Sequence, residues 1–400
     1  MKKRIFGVIV GSLLLSGCSL IPQKAVVVAP APEQAAFATK AIPGSLWKTE
    51  DSGKTFIAKS QVDEKTSITK ADILSIAYHP QKPMTIYVGS VDNGIFKTEN
   101  GGDTWLPIVF PPKRIYSFIL DKNDPDNRMF ASGMVNDWGK IFRTDDGGTT
   151  WADVYTEPGQ KTPVTAIAQH FRDRNVIFAG TATGTVVKSI DSGNTWKNIG
   201  GKIDGTVADI TFDSSKSLST YLLMYGQKLY YSPDGGMKWL DWEEEKQKEV
   251  TALQEKSSKA SSKGSTKESE RLQKEVTKLS DRNQKNKMPA GIVSILSDPT
   301  KSGVIYAGTN SGFFRSIDFG KYWDELNIIE SAKKFPIRSI AVNPKNPKEI
   351  VFVAGKAFYK SVDEGVTWMT TGLNVDRGTS FVTYDPFDSR YLFIGLRNFK

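Results

Sequence analysis

Residues 360–368, KSVDEGVTW, set a serine, an aspartate, a glycine and a tryptophan at fixed offsets, and the chain writes this phrase seven times. The other copies are KTEDSGKTF (48–56), KTENGGDTW (97–105), RTDDGGTTW (143–151), KSIDSGNTW (188–196), YSPDGGMKW (231–239) and RSIDFGKYW (315–323). Each carries Ser or Thr, then an acidic or amide residue two positions on (Asp51, Asn100, Asp146, Asp191, Asp234, Asp318, Asp363). A glycine follows at Gly53, Gly102, Gly148, Gly193, Gly236, Gly320 and Gly365. An aromatic closes the phrase at Phe56, Trp105, Trp151, Trp196, Trp239, Trp323 and Trp368. Successive copies stand 43–49 residues apart except for one interval of 84, which holds an insertion of about one repeat.

Each element has a physical task. The carboxylate accepts hydrogen bonds from backbone amides of its own turn. Glycine supplies a backbone angle that a Cβ resists. The small hydroxyl ties the preceding strand to the turn. The aromatic buries about 150–250 Å² between neighbouring sheets, about 4–6 kcal/mol gross at roughly 25 cal/mol per Å². The phrase therefore reads as a self-stapled hairpin turn with an anchor, and its repetition requires no ligand.

The flanks complete a unit. Before the second copy come ILSIAYHP (73–80), TIYVGS (85–90) and GIFKTE (94–99), and the turn leads into TWLPI (104–108). Four short strands in about 40 residues make one propeller blade. Comparable first strands begin near Ile115, Val164, Val207, Ile292, Ile337 and Phe381. After the seventh copy, SFVTYDP (380–386) and RYLFIGL (390–396) supply two strands with no turn behind them, while SLWKTE (45–50) and its turn supply two with nothing in front. We therefore expect an all-β, seven-bladed β-propeller of four-stranded blades over residues 45–400, closed by a blade shared between both chain ends.

The repeated phrase resembles the Asp-box, or BNR, motif, which occurs in sialidases, sortilin-like receptors, two-propeller glucanases and the photosystem II stability/assembly factor family. The whole-chain pattern is similar to that last family, whose members are single seven-bladed propellers, exported and in cyanobacteria lipid-anchored. The resemblance covers residues 45–400 apart from the insertion. It implies a non-catalytic helper that binds a membrane protein during assembly, with no cofactor. Fold does not dictate activity, and the insertion departs from the family pattern.

Composition adds limits. The chain has 400 residues and a formal net charge of +9, with Lys2, Lys3 and Arg4 in a segment expected to be removed. The mild basic balance that remains suits acidic partners or an anionic membrane surface. No helical recognition element, zinc motif or basic aromatic module points to nucleic acid. The start, MKKRIFGVIVGSLLLSGCSL, has a basic head and an apolar run too short to span a bilayer. Leu15-Ser16-Gly17-Cys18 resembles the bacterial lipobox, which implies a signal peptide over 1–17 and a lipidated Cys18. Cys18 is the one cysteine, so no intrachain disulfide forms. Residues 18–44 are Ala/Pro/Val-rich and read as an extended tether, with a strand at Val26–Val28 as the alternative. The expected location is outside the cytoplasm, anchored to the cell membrane or the outer membrane.

Residues 241–288 lose β-formers and gain Lys, Glu, Gln and Ser. Asp241 with Glu244 and Ser265 with Glu268 resemble helix capping boxes. Val250 and Leu253, then Leu272, Val276 and Leu279, form apolar stripes at helical spacing. These predict a coiled-coil-like pair of antiparallel helices of about four turns each, joined by a flexible SSKASSKGS (257–265). Lying between a last strand and the next first strand, the hairpin is expected on the face opposite the repeated turns. It reads as a binding arm or as a solvated surface insertion.

No catalytic or metal-binding set is visible. His79 and His170 fall at the ends of first strands, and no paired-histidine motif or phosphate-cradling loop is present. A sialidase would need an arginine trio, a Tyr/Glu pair and an acid on six blades with an Arg-Ile-Pro start, from which RIY (114–116) departs. A glucanase would need twice this length and opposed carboxylates. The binding reading rests on the connections opposite the repeated turns, which offer Lys113, Arg114, Lys161, Lys333, Lys334, Arg377 and Arg397, with Trp138 in VNDWGK (135–140) as an aromatic anchor on a longer connection. Converged, they would make a basic face for an acidic protein or anionic glycan. The expected partner is a membrane-associated protein. A glycoside hydrolase and a sortilin-like tunnel receptor are the rival functions.

Overall fold

The computed structural model describes residues 41–399, apart from 64, 65, 113 and 227. Cys18, the tether up to residue 40 with its Val26–Val28 alternative, and Lys113 lie outside the described residues.

Seven antiparallel sheets follow one another along the chain. Their first strands are Ile73–Tyr78, Ser117–Leu120, Val164–Gln169, Val207–Phe212, Ile292–Ser297, Ile337–Val342 and Gly378–Tyr384, which begin blades 1 to 7 in that order. Each first strand packs beside the first strand of the next blade, and that of blade 7 returns to that of blade 1, so the ring closes. Second strands such as Ile86–Ser90, Ile177–Thr181 and Ile305–Thr309 are buried along their whole length. Their sequences read as unbroken apolar and small residues because a blade has a neighbour on both faces.

The core is divided into seven apolar clusters, one in each gap between blades. Trp105 is buried in the gap between blades 7 and 1, where its Nε1 donates to the carbonyl of Lys59 at 3.0 Å. Trp151 repeats the arrangement one gap further, donating to Val109 O at 2.9 Å. The anchors therefore sit between sheets, as their sequence pattern predicts.

Blade 7 contains both chain ends. Leu46–Thr49 pairs with Leu392–Arg397, Leu46 opposite Gly395 and Thr49 opposite Leu392. Ile57–Ala58 completes the sheet from outside. This closure pairs the blade's second strand, Leu392–Arg397, on both sides.

Blade 4 departs from the expected four strands. Its ladder has three, and the fourth is reduced to a bridge between Tyr231 and Leu240. The chain turns into the insertion one residue later, at Asp241. Two helices follow, α1 (Trp242–Ser262) and α2 (Thr266–Lys285), each nearer six turns than the predicted four. The stretch read as a flexible 257–265 is mostly helix, and only 263–265 turns. Asp241 does cap α1, but through the N–H of Glu243, and the Ser265 side chain makes no cap bond. Neither start is the reciprocal box expected.

The hairpin's place is also corrected. Its base lies against the repeated turn of blade 5, on the side from which the turns project. Trp242 stacks on Tyr231 at 5.6 Å and donates through Nε1 to the carbonyl of Phe319 at 2.8 Å. The Arg282 guanidinium covers the Tyr322 ring at 3.9 Å, and Tyr322 donates to Asn283 at 3.1 Å. The fourth strand of blade 4 is too short to carry the chain to the opposite face before the helix begins. Beyond this base the helices hold each other, through Val250, Leu272, Val276 and a Ser257–Ser269 hydrogen bond.

Candidate partner-binding face

The ring's two faces are built differently. On one, all seven repeated turns share the same bonds. The Ser or Thr hydroxyl donates to the acidic or amide oxygen at 2.7–2.9 Å. The glycine N–H donates to that hydroxyl at 2.8–3.0 Å. The N–H four residues after the Asp or Asn returns to its oxygen at 2.8–3.0 Å. Asn100 performs the same task as the six aspartates. Hydrogen bonds from Thr55, Thr150 and Thr195 hold the carboxyls of Asp51, Asp146 and Asp191 down at about 2.

A second sevenfold staple went unread in the sequence. His79, Asp121, His170, Asp213, Asp298, Asn343 and Asp385 end the seven first strands, and all are buried. Each accepts from a backbone N–H two or three residues on, as His79 Nδ1 does from Lys82 at 3.0 Å and Asp298 from Thr300 at 2.8 Å. The two histidines are thus turn staples standing where other blades use Asp or Asn. Burial lowers the pKa of both, which keeps Nδ1 an acceptor. In each blade the residue after the box Asp or Asn donates its N–H to this first turn, as Gly147 does to Asn127 O at 2.9 Å. Both sets of turns therefore lie on one face.

The opposite face carries the second-to-third turns and the links between blades. Six of the predicted partner residues that can be placed there do not form one cluster. Arg114 is exposed and paired with Asp92 at 3.1 Å. Lys333 pairs with Glu330 at 3.1 Å, while Lys334 and Lys161 are exposed. Trp138 is half-buried and opens a strand after a two-residue turn at Asn136 and Asp137, both with positive φ, so its connection is tight rather than long. Asp92 and Glu330 are paired with two of these basic residues, so a uniformly basic face is not formed.

Arg377 is the clearest correction, because it is not on the surface. Its buried guanidinium donates to the carbonyls of Ala71 (2.8 Å), Thr69 (2.5 Å) and Gly44 and pairs with Asp72 at 3.1 Å. It clamps the ring's closure, filling a pocket of main-chain oxygens that no sequence motif announces.

Arg397 does join a cluster, with residues that sequence reasoning missed. The Arg338 guanidinium stacks on Phe399 at 3.8 Å, and Arg397 approaches the same ring at 5.6 Å. Arg338 lies on the first strand of blade 6. At the matching position other blades carry Leu74, Tyr116, Thr165, Ala208, Val293 and Ser380, so a charge there was a readable anomaly. Burial holds its pKa below the usual arginine value, Tyr225 opposes that, and Arg397 adds to it. Among the described residues neither arginine pairs with a carboxylate. Tyr225 and Phe399 are exposed beside them. An exposed aromatic set around two unpaired guanidiniums can take a carboxylate by paired N–H donation and an apolar side chain by stacking.

Asp209 is the one exposed residue on the seven first strands. On the ladder it stands opposite Leu223 of the second strand. Surrounding protein pushes its carboxyl up to about 6 against one bond from the Ile210 N–H.

These features define a seven-bladed propeller with stapled turns on one face and an arginine–aromatic cluster on the other. A family model described as Sortilin-Vps10 (sortilin, neurotensin receptor 3) matches residues 139–295. No curated protein matches the sequence. Among solved structures, a GH74 xyloglucanase from Xanthomonas campestris aligns at a TM-score of 0.61 and 14% identity, over 82% of this chain and 51% of that one. The chain thus spans about half the length of that enzyme. A structure of YCF48 bound to D1 peptide aligns at 0.56 and 15%, over 82% and 93%. YCF48 from Cyanidioschyzon merolae aligns at 0.54 and 14%, over 84% and 98%. At these identities the likeness is one of fold, and it bears out the expected resemblance to sortilin-like and assembly-factor propellers.

Proposed function

We propose that this protein is a non-catalytic, lipid-anchored propeller of the cell envelope that binds a protein partner through the Arg338–Phe399–Arg397 cluster. The observation that carries the reading is one arginine stacked on an exposed ring and a second beside it, with no carboxylate of their own among the described residues. Such a pair is held at a cost that an acidic segment of a partner would offset. The YCF48 structure supports a peptide as ligand, because that protein of similar length and fold holds one. The buried carboxylates that end the first strands are bonded within turns, which leaves them poorly placed for acid–base work on a substrate.

Crosslinking in intact membranes, with identification of the attached protein, tests this. The wild-type chain is expected to capture one dominant partner and the R338E/R397E variant to lose it. Capture that survives charge reversal would remove the reading. Anchoring has its own test: Cys18→Ser is expected to move the protein from washed membranes to the soluble fraction, and retention would count against a lipid anchor.

A further inference from the structure

Asn-Gly occurs twice in the chain, at 93–94 and at 100–101. A glycine leaves the nitrogen after the asparagine unhindered. That nitrogen can then attack the asparagine's own side-chain carbon. Both pairs belong to blade 1, and the fold treats them in opposite ways.

Asn100 is pinned. Its Oδ1 accepts from the Thr98 hydroxyl at 2.8 Å and from the Thr104 N–H at 3.0 Å, and its Nδ2 donates to the Thr104 hydroxyl at 2.9 Å. The Gly101 N–H, the attacking group, donates to the carbonyl of Met84 at 2.9 Å. Ring closure there would have to break these bonds.

Asn93 is not held in this way. It lies exposed in the turn between Ile86–Ser90 and Ile95–Thr98. Neither its side-chain amide nor the Gly94 N–H makes a hydrogen bond among the described residues. The main chain around the pair is fixed, since the Ser90 hydroxyl accepts from the Asn93 N–H at 3.0 Å and donates to the Gly94 carbonyl at 2.8 Å. Gly94 has φ +79°, a value that a Cβ resists. The turn needs its glycine, and the reactive pair comes with it.

We infer that Asn93 is a deamidation site of the folded protein, and that the repeated turn shields Asn100 from the same reaction. The Gly94 nitrogen bonds to Cγ of Asn93. The side-chain amide leaves as ammonia, taking up through solvent the proton that Gly94 gives up. The imide ring so formed then adds one water. Opening at one carbonyl gives aspartate and at the other isoaspartate, and nothing is oxidised or reduced. Either product sets a carboxylate next to Asp92, which pairs with Arg114 at 3.1 Å on the face opposite the repeated turns. Isoaspartate also lengthens the main chain of the turn by a methylene. Each converted molecule therefore carries one more negative charge on that face.

The test incubates the full chain at mildly alkaline pH in water carrying a heavy oxygen isotope, beside a sample unfolded in urea, and maps both by mass spectrometry. Unfolded, the two asparagines are expected to convert at similar rates, since each precedes glycine. Folded, Asn93 is expected to stay within about tenfold of its unfolded rate, and Asn100 to be at least about tenfold slower than Asn93, because its reacting groups must first leave their bonds. Labelled isoaspartate at 93 marks the imide route. Thr104→Ala, at an exposed position, is expected to speed conversion at 100 by about threefold and to leave 93 unchanged. Equal conversion at both positions in the folded chain, an Asn93 that reacts only when unfolded, aspartate at 93 without isoaspartate, or an Asn100 indifferent to Thr104→Ala would each overturn the inference. The site shares no residue with the arginine cluster, so failure here leaves the partner reading standing.

Discussion

The guanidinium of Arg377 donates to the carbonyl of Gly44, so the link into the last blade is bonded to the segment that enters Leu46–Thr49. The same group holds Thr69 and Ala71 at the entry to blade 1. One side chain thus joins the three segments that must meet for the ring to close. Arg377→Ala is expected to lower stability by about 3–5 kcal/mol, the usual result of removing one partner from a buried charged network. Lysine should rescue little, because one ammonium cannot match this fork of oxygens. Thermal melts of the two variants check this, and a loss under 1 kcal/mol would contradict the clamp.

The repeated turns are expected to depend on acid in one direction. Asp51, Asp146 and Asp191 have folded values near 2, below the unfolded value of 3.8. Their contribution is therefore complete above about pH 4 and lost as pH falls towards 2. Replacing all three by Asn, which the chain already uses at position 100, should flatten that part of the melting profile. Thr144→Val should cost about 1–3 kcal/mol near neutral pH, since a buried hydroxyl that binds Asp146 and Gly148 is removed.

Asp209 is expected to behave oppositely. Its folded value, about 6, lies above its unfolded one. The folded state therefore holds the proton more tightly, and stability falls as pH rises from about 4 through 6. Asp209→Asn should match the wild type at pH 4 and melt higher at pH 8. A wild type that melts higher at pH 8 would show that the fold stabilises the carboxylate instead.

The hairpin should prove separable from the ring beyond its base. Shortening both helices between 251 and 281 is expected to shift the melting temperature by no more than about 2 °C, since the hydrogen bonds there stay within the hairpin. Trp242→Ala should cost about 3–5 kcal/mol, because that ring fills the joint between Tyr231 and Phe319. Circular dichroism with thermal melts distinguishes the two.

The ring was legible because its staples are local. Thr144, Asp146 and Gly148 lie within five residues and bond one another, so geometry is written as spacing. The companion staple at the ends of first strands was harder to see, since His79, Asp121 and Asn343 serve one role with three residue types. The partner face was least legible. Arg377 and Arg397 read alike as surface arginines, yet one faces inward carbonyls and the other an exposed ring. Their fates depend on residues such as Gly44 and Phe399, brought near only by closure. Helix length at 257–262 was missed because serine and lysine show no stripe, although the partner helix holds Ser257.

The central claim is that the Arg338–Phe399–Arg397 cluster is where the partner docks. Its most direct test places a photoreactive amino acid at Tyr225, which is exposed beside the cluster, and a second at Met237, exposed on the face of the repeated turns. After irradiation of intact membranes, position 225 is expected to yield a discrete crosslinked protein that disappears with R338E/R397E, and position 237 is expected not to yield it. The same product from both positions, or a product at 225 indifferent to the charge reversal, would contradict the account.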